Sequence, residues 1–516
     1  MVIPHTVQSL CKSLFWRNCV TKSLEEINDR IRDGSVYVVT ADEMPYIVGE
    51  LGAERAAKEV DVVTTGTFGA MCSSGVWMNF GHADPPIKMS QVWLNDVEAY
   101  TGVAAIDAFI GATQLSETRG LDYGGAHVIE DLVARREVHL KAMGFATDCY
   151  PRRSIETALT IEDLNEAIML NPRNAYQRYN AATNSTEKAL YTYMGTLLPR
   201  FGNATYSGAG VLSPLCNDPE CETIGTGTKI FLCGAEGYIV GNGTQHDPAN
   251  HFGTLMVRGD LKAMTTDYLR AAIFHKYGTS LYVGIGVPIP VLNEGIARKT
   301  AISDADIVTD VLDYGVARRS RPRLTTVSYE ELRSGMIDLN GKEVRTSSMS
   351  SSFKAKEIAA ELANRIRNGT FDITLPAARL PLDTIQKPMK QRSKAPLVRE
   401  VMVPSITVHD SISVQDAAKI IIGKQVNHLP VVSDAKKLIG IVTAYDISKA
   451  VALDKGDGLK GIMTRRVVTA APDEPIDLAA RRLERHNISA LPVVDHANTV
   501  IGIITSEDLS RLLACR

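Results

Sequence analysis

Leu-Pro-Val-Val, a glycine and Thr-x-x-Asp occur twice near the carboxy end of the chain at one constant offset, and this repeat limits the architecture more than any other feature. The first copy carries Val401-Met402-Val403-Pro404, then Leu429-Pro430-Val431-Val432, then Gly440 and Thr443-Ala444-Tyr445-Asp446. The second carries Ile462-Met463-Thr464, then Leu491-Pro492-Val493-Val494, then Gly502 and Thr505-Ser506-Glu507-Asp508. Leu-Pro-Val-Val, Gly and Thr-x-x-Asp recur 62 positions apart, which marks a duplicated strand and helix unit. The expected boundaries are 396–453 and 454–516.

The chain of 516 residues is too long for one core, and a prior of about 150 residues per domain leaves room for a larger domain ahead of the repeat. Ser23-Leu24-Glu25-Glu26 has the form of a capping box, and Leu24, Ile27 and Ile31 follow at helical spacing up to Gly34. Val36 to Val39 then reads as a strand. The cycle recurs from Thr40 through a helical stretch to a second strand at Val60 to Val63, a pattern that indicates an α/β domain. Ile358, Leu362 and Ile366 share one face of a helix ending near Gly369, which closes this domain. Residues 1–21 are expected to be an extension, 22–375 the first domain, and 376–395 a linker containing the basic, proline-flanked run Lys387 to Pro396.

With 56 basic and 59 acidic residues and a formal charge of −3, the chain gives no electrostatic reason to bind nucleic acid or an anionic membrane. Small molecules and proteins remain as partners. No apolar run reaches the roughly 20 residues of a membrane span, and Arg17, Asn18 and Lys22 interrupt any signal-peptide core near Leu14-Phe15-Trp16. Eight cysteines, at 11, 19, 72, 149, 216, 221, 233 and 515, are too scattered for a disulfide scaffold, so a reducing cytoplasm is expected.

Among these cysteines, Cys149 stands out in Asp148-Cys149-Tyr150-Pro151-Arg152-Arg153. A thiol works as nucleophile or sulfur carrier only as thiolate, a form that the charge of Arg152 and Arg153 favours, while Pro151 stiffens the backbone beside it. The competing reading is a small buried hydrophobe near a surface arginine pair. Cys72 lies in Thr64 to Gly75, a loop of small and hydroxylated residues after a strand, where ligands of α/β domains commonly sit. The alternative is a Gly/Ser turn that happens to hold a cysteine. His127, in Tyr123-Gly124-Gly125-Ala126-His127, is a candidate proton donor or acceptor, or a structural histidine. The glycine-dense stretch from 200 to 300 contains neither a dinucleotide fingerprint nor a P-loop, which weakens an NAD-linked dehydrogenase. Cys216, Cys221 and Cys233 lack a fourth ligand and any C-x2-C pair, so no metal site is expected.

The repeat resembles a tandem pair of cystathionine-beta-synthase (CBS) domains. That resemblance implies an adenosyl ligand, with Thr443 and Thr505 near its ribose or phosphate and Asp446 and Asp508 on ribose hydroxyls; a pair that only dimerises is the alternative. Residues 22 to 375 resemble the homocysteine-biosynthesis family of archaea and anaerobic bacteria. The likeness rests on G-T-F-G-A-M-C-S-S-G (66 to 75), G-G-A-H-V-I-E-D-L-V (124 to 133), T-D-C-Y-P-R (147 to 152) and G-T-G-T-K-I-F-L (225 to 232). The first 18 or so residues have no counterpart there, and Cys216, Cys221, Cys233 and Cys515 match no family role.

The expected fold is thus an α/β catalytic domain followed by a tandem CBS pair. The implied activity is transfer of reduced sulfur to L-aspartate semialdehyde to form homocysteine. Cys149 would carry a persulfide, Cys72 would act as relay or resolving thiol, and Arg152 or Arg153 would hold thiolate or substrate carboxylate. No tightly bound cofactor is expected. S-adenosylmethionine or methylthioadenosine is the regulator expected ahead of AMP or ATP. Sulfide or a persulfide donor supplies the sulfur, a ferredoxin-like iron–sulfur protein the electrons, and the CBS pair a homodimer contact. The reading from another class is a non-catalytic sensor of an adenosyl or thiol metabolite.

Overall fold

The computed structural model describes residues 22–316, 320–384, 387, 389, 396–453 and 458–514. The extension 1–21, Cys11, Cys19, Cys515 and most of the basic run Lys387 to Pro396 fall outside them. The chain divides into two compact units near residue 386, and no described helix is long and apolar enough to cross a membrane.

The first unit opens as its sequence dictates. Ser23 accepts from the Glu26 N–H at 3.1 Å while the Glu26 carboxylate accepts from the Ser23 N–H at 2.7 Å, and the helix Leu24–Asp33 ends at Gly34 with φ of 78°. The strands Val38–Thr40 and Val62–Thr64 run parallel, connected through the helices Met44–Leu51 and Ala53–Glu59. Val62–Thr64 also pairs antiparallel with Pro288–Pro290. Beneath them Lys22 is buried, its Nζ 2.9 Å from Asp61 Oδ1.

From Thr67 onward antiparallel pairing dominates. A nine-stranded sheet has Gly278–Gly286 near one end, with Thr67–Ala70 alongside it, and Glu166–Asn174 beside Gly75–Asn79 near the other. A six-stranded sheet carries the hairpin Val138–Gly144 and Ser154–Leu159, and a further six-stranded sheet includes Val308–Asp313 and Ala181–Thr183. The α/β reading therefore holds, with a small parallel element feeding two large antiparallel sheets and a mixed one.

The helix Ser352–Arg367 buries Ile358, Leu362, Ala363 and Ile366 against Val38, Val62, Phe68 and Phe231, and Ala355 and Ala359 in the main core. Each fully buried Ile or Leu there contributes about 1.5–3 kcal/mol. The helix lies so close to the loop before Thr67 that a Cβ at Gly66 would stand 2.0 Å from the Ala355 carbonyl oxygen, so only glycine fits. The chain beyond 375 stays on this unit instead of starting the expected linker. Ala378–Arg379 pairs with Gly225–Thr226, and the Pro381 carbonyl lies 2.9 Å from His246 Nε2, because unpaired strand and ring groups are available there.

The second unit shows the duplication in three dimensions. His428–Val432 pairs with Leu438–Thr443, and Ala490–Val494 with Val500–Thr505, each pair with a bulge at the equivalent valine. The helices Val414–Lys424 and Ile476–His486 both end on left-handed residues, Gln425 and Asn487. The recurring Gly and Met are explained by crossing. Met463 of the second copy packs on Gly440 of the first, and Met402 of the first on Gly502 of the second, where a Cβ would stand within 2.8 Å of the sulfur.

Candidate functional site

The loop between Thr67–Ala70 and Gly75–Asn79 holds Cys72, half-buried, with its Sγ 3.2 Å from Ser280 Oγ on the strand Gly278–Gly286. Neighbouring side chains clamp the loop. Asn171 Nδ2 donates to Ser74 Oγ at 2.9 Å, and Ser73 Oγ lies 3.1 Å from both Asn171 Oδ1 and the Arg173 carbonyl. Asn171 stands where the strand Glu166–Asn174 loses register, and Pro172 inside that strand cannot donate to a ladder. The resulting bulge turns Arg173 out of the sheet alternation, a common device beside functional sites.

Cys72 and Arg173 line a cavity of about 350 Å³. Tyr176, Tyr179, Tyr193 and Tyr277 supply much of its wall, and Arg321 reaches it from the loop after Val308–Asp313. Arg321 donates to Tyr193 Oη at 2.9 Å and lies 4.4 Å from the centre of the Tyr314 ring. Arg173 donates through Nη1 to Gln245 Oε1, while its buried Nε has no partner. Burial pushes the hydroxyls of Tyr176 and Tyr277 above their usual range, so both stay neutral and protonated. A half-buried thiol, two guanidinium groups and protic tyrosines can hold an anionic substrate, attack an electrophilic carbon and protonate its oxygen.

The other expected residues stand elsewhere. Cys149 is exposed in the turn of the hairpin Val138–Gly144 and Ser154–Leu159, and it does not line this cavity. Thr147 and Tyr150 close the turn with reciprocal backbone bonds of 3.0 and 3.1 Å. Arg152 donates from Nε to the Pro85 carbonyl at 2.9 Å and from Nη2 to the Asp84 carbonyl, so its guanidinium anchors the turn to the chain at 84–85. His127 lies in the first turn of the helix Gly125–Val133, stacked on Tyr123 with ring centres 4.9 Å apart. Its Nδ1 accepts from the Gly124 N–H at 3.2 Å, and burial lowers its pKa, which keeps the ring neutral. Both Cys72 and Cys149 are free thiols.

Cys216, Cys221 and Cys233 are buried, and Cys216 Sγ donates to the Gln177 carbonyl at 2.6 Å. Among the described residues no group of three His, Cys, Asp or Glu side chains could hold a metal ion. Sequence reasoning missed Arg173, Arg321, Ser280 and the tyrosines. The one local signal was Pro172 inside a strand.

In the second unit each Thr-x-x-Asp motif caps a helix. Thr443 Oγ1 lies 2.7 Å from Asp446 Oδ2, and Thr505 Oγ1 lies 2.6 Å from Asp508 Oδ2. Each cap occupies one carboxylate oxygen and leaves the other open. Thr443, Thr505 and Asp508 line one cleft of about 560 Å³, with His428 and Arg511. Asp446 lines instead a hollow of about 160 Å³ with Lys449. A third opening, of about 420 Å³, takes Thr443, Arg466 and Ser489.

Comparison with known proteins adds three findings. A profile described as "Homocysteine biosynthesis enzyme, sulfur-incorporation" matches residues 36–373, and the CBS domain profile matches 398–453 and 459–515. The L-aspartate semialdehyde sulfurtransferase of Methanosarcina acetivorans is 58% identical over 498 residues, covering 96% of this chain and 100% of that protein. The protein of the same name from Methanocaldococcus jannaschii is 53% identical, covering 96% of this chain and 99% of its own length. A crystallised CBS domain pair in complex with 5′-methylthioadenosine and S-adenosyl-L-methionine is 48% identical over 23% of this chain and 98% of its own, with a TM-score of 0.23.

Proposed function

This chain belongs to the family of homocysteine biosynthesis enzymes of sulfur incorporation, with a CBS pair at its carboxy end, and from that membership we propose that it forms homocysteine from L-aspartate semialdehyde at the Cys72 cavity. The observation that carries this reading is the half-buried Cys72 thiol on the wall of a cavity that also presents two guanidinium groups. Cys149, exposed in its hairpin turn, suits loading by an external persulfide donor, whereas an inert buried thiol would favour the sensor.

The relay is an exchange of sulfur. Cys72 thiolate attacks the outer sulfur of a Cys149 persulfide, the Cys149 S–S bond breaks, and Cys149 leaves as thiolate. The outer sulfur of the Cys72 persulfide then adds to the aldehyde carbon while the carbonyl oxygen takes a proton. Aldehyde, hydrosulfide, two electrons and three protons give thiol and water. Persulfide sulfur is more oxidised by two electrons, so aldehyde and persulfide need four electrons and four protons to give homocysteine, the enzyme thiol and water. A ferredoxin-like iron–sulfur protein is the donor class this requires. Thr505 and Asp508 belong to the regulatory half of the proposal, an adenosyl ligand in the larger CBS cleft.

The test uses the full chain, a small-molecule persulfide donor and a reduced iron–sulfur protein, with alkylation and peptide mass spectrometry. One added sulfur is expected on Cys149 and Cys72 in the native protein and on Cys149 alone in Cys72→Ser. Both Cys72→Ser and Cys149→Ser are expected to lose homocysteine formation. Undiminished product from Cys72→Ser would end the reading, and undiminished product from Cys149→Ser would remove the relay.

A further inference from the structure

Among the described residues, cations line the Cys72 cavity and no anion does. Arg173 and Arg321 contribute side chains to its wall, and no described aspartate or glutamate does. Among the described residues neither guanidinium meets a carboxylate: Arg173 reaches Gln245, and Arg321 is surrounded by the tyrosine hydroxyls of 193 and 314. A guanidinium resting on an aromatic face keeps its outer edge open for bidentate contact with a carboxylate. Two uncompensated positive charges in a confined site disfavour a third cation and favour an anion.

The two arginines have different surroundings. Arg173 meets the cysteine loop through its backbone carbonyl and commits its side chain to Gln245, whereas Arg321 is braced by Tyr193 and Tyr314. Arg321 is therefore the better carboxylate anchor. An α-ammonium group, by contrast, finds no acidic partner among the described residues of the wall, and the Gln245 Oε1 is already taken by Arg173.

We propose that the cavity selects substrate by aldehyde and carboxylate without reading the α-amino group, so that the enzyme also converts succinate semialdehyde to 4-mercaptobutanoate. The inference rests on the assignment of sulfur transfer to the Cys72 cavity. The reaction balances in the same way: the C=O bond is lost, a C–S and a C–H bond form, and the oxygen leaves as water. With hydrosulfide it takes two electrons from the iron–sulfur donor and three protons, and with persulfide sulfur it takes four of each.

The experiment reads protection of Cys72 from iodoacetamide in the full-length protein, by peptide mass spectrometry, with exposed Cys149 in the same chain as internal control. The probes are L-aspartate semialdehyde, succinate semialdehyde, which lacks the amine, and 3-aminopropanal, which lacks the carboxylate. Both semialdehydes are expected to protect Cys72 at concentrations within about tenfold of each other, and 3-aminopropanal to need about a hundredfold more. Arg321→Gln should abolish protection by both carboxylates and Arg321→Lys restore part of it, with Cys149 alkylation and the thermal midpoint unchanged. Under the homocysteine-forming conditions, succinate semialdehyde should yield 4-mercaptobutanoate. Protection by aspartate semialdehyde but not by succinate semialdehyde, or equal protection by 3-aminopropanal, overturns this inference alone. Failure of aspartate semialdehyde itself to protect Cys72 overturns the assignment of the cavity and this inference with it.

Discussion

Cys216, Cys221 and Cys233 are buried, and burial pushes each thiol up to about 12 from an ordinary value of 9.0. Such thiols ionise in the unfolded chain from about pH 9 and in the folded one only near pH 12. The unfolded state therefore loses protons first, and stability present below pH 9 is lost as pH rises through that window. Each thiol removes on the order of 1.4 kcal/mol per pH unit there. The thermal midpoint should fall between pH 9 and pH 10.5, and Cys233→Ala should show a shallower fall; equal slopes would refute the account. Cys72 and Cys149 stand out in the sequence because each has unusual neighbours in its own segment. Arg173, Arg321 and Ser280 do not, because they come from strands and loops roughly 100 to 250 positions away and meet Cys72 only through tertiary pairing. The same holds for Arg152, whose charge is spent on carbonyls of the 84–85 segment that no local reading connects to it.

Short elements explain what the sequence revealed at the next scale. The capping box at Ser23 and the apolar face of Ser352–Arg367 are local patterns, and both appear where their residues place them. The antiparallel sheets were hidden, because most of their strands have six residues or fewer and, interrupted by glycine, carry little alternation. His127 shows the difference between a residue's chemistry and its place. As a neutral acceptor in the first turn of Gly125–Val133, it satisfies one of the free N–H groups at a helix start. His127→Ala should cost about 1 kcal/mol of stability, His127→Asn should recover it, and homocysteine formation should stay close to native in both. Because burial depresses its pKa below the ordinary 6.5, the stability it gives is present above that pH and lost as pH falls through the lower folded value. A large loss of activity in both variants, with stability intact, would return His127 to the chemistry.

For the whole molecule, the duplicated unit and the larger catalytic unit were both legible in outline, the first from its 62-residue offset and the second from motifs matching a known family. Regulation is where the two units make a joint prediction. S-adenosylmethionine or methylthioadenosine should bind the full chain by calorimetry, and Asp508→Asn should weaken that binding about tenfold while Asp446→Asn weakens it less, since only Asp508 lines the larger cleft. Ile422 and Val451 are 77% and 67% exposed on the helices of the first repeat, and we propose that a second copy covers them. Sedimentation of the full chain is expected to show a dimer, and a monomer with unchanged ligand affinity would separate regulation from assembly. The bond between Asn171 and Ser74 has a further consequence. One amide holds both the loop of Cys72 and the bulge that aims Arg173, so a change at Asn171 disturbs both parts of the site. Met194 and Met349, on the remaining wall, carry no such tie to that loop. Natural or laboratory drift in substrate length should therefore accumulate at those methionines, leaving the chemistry of the opposite wall intact while the range of accepted molecules changes.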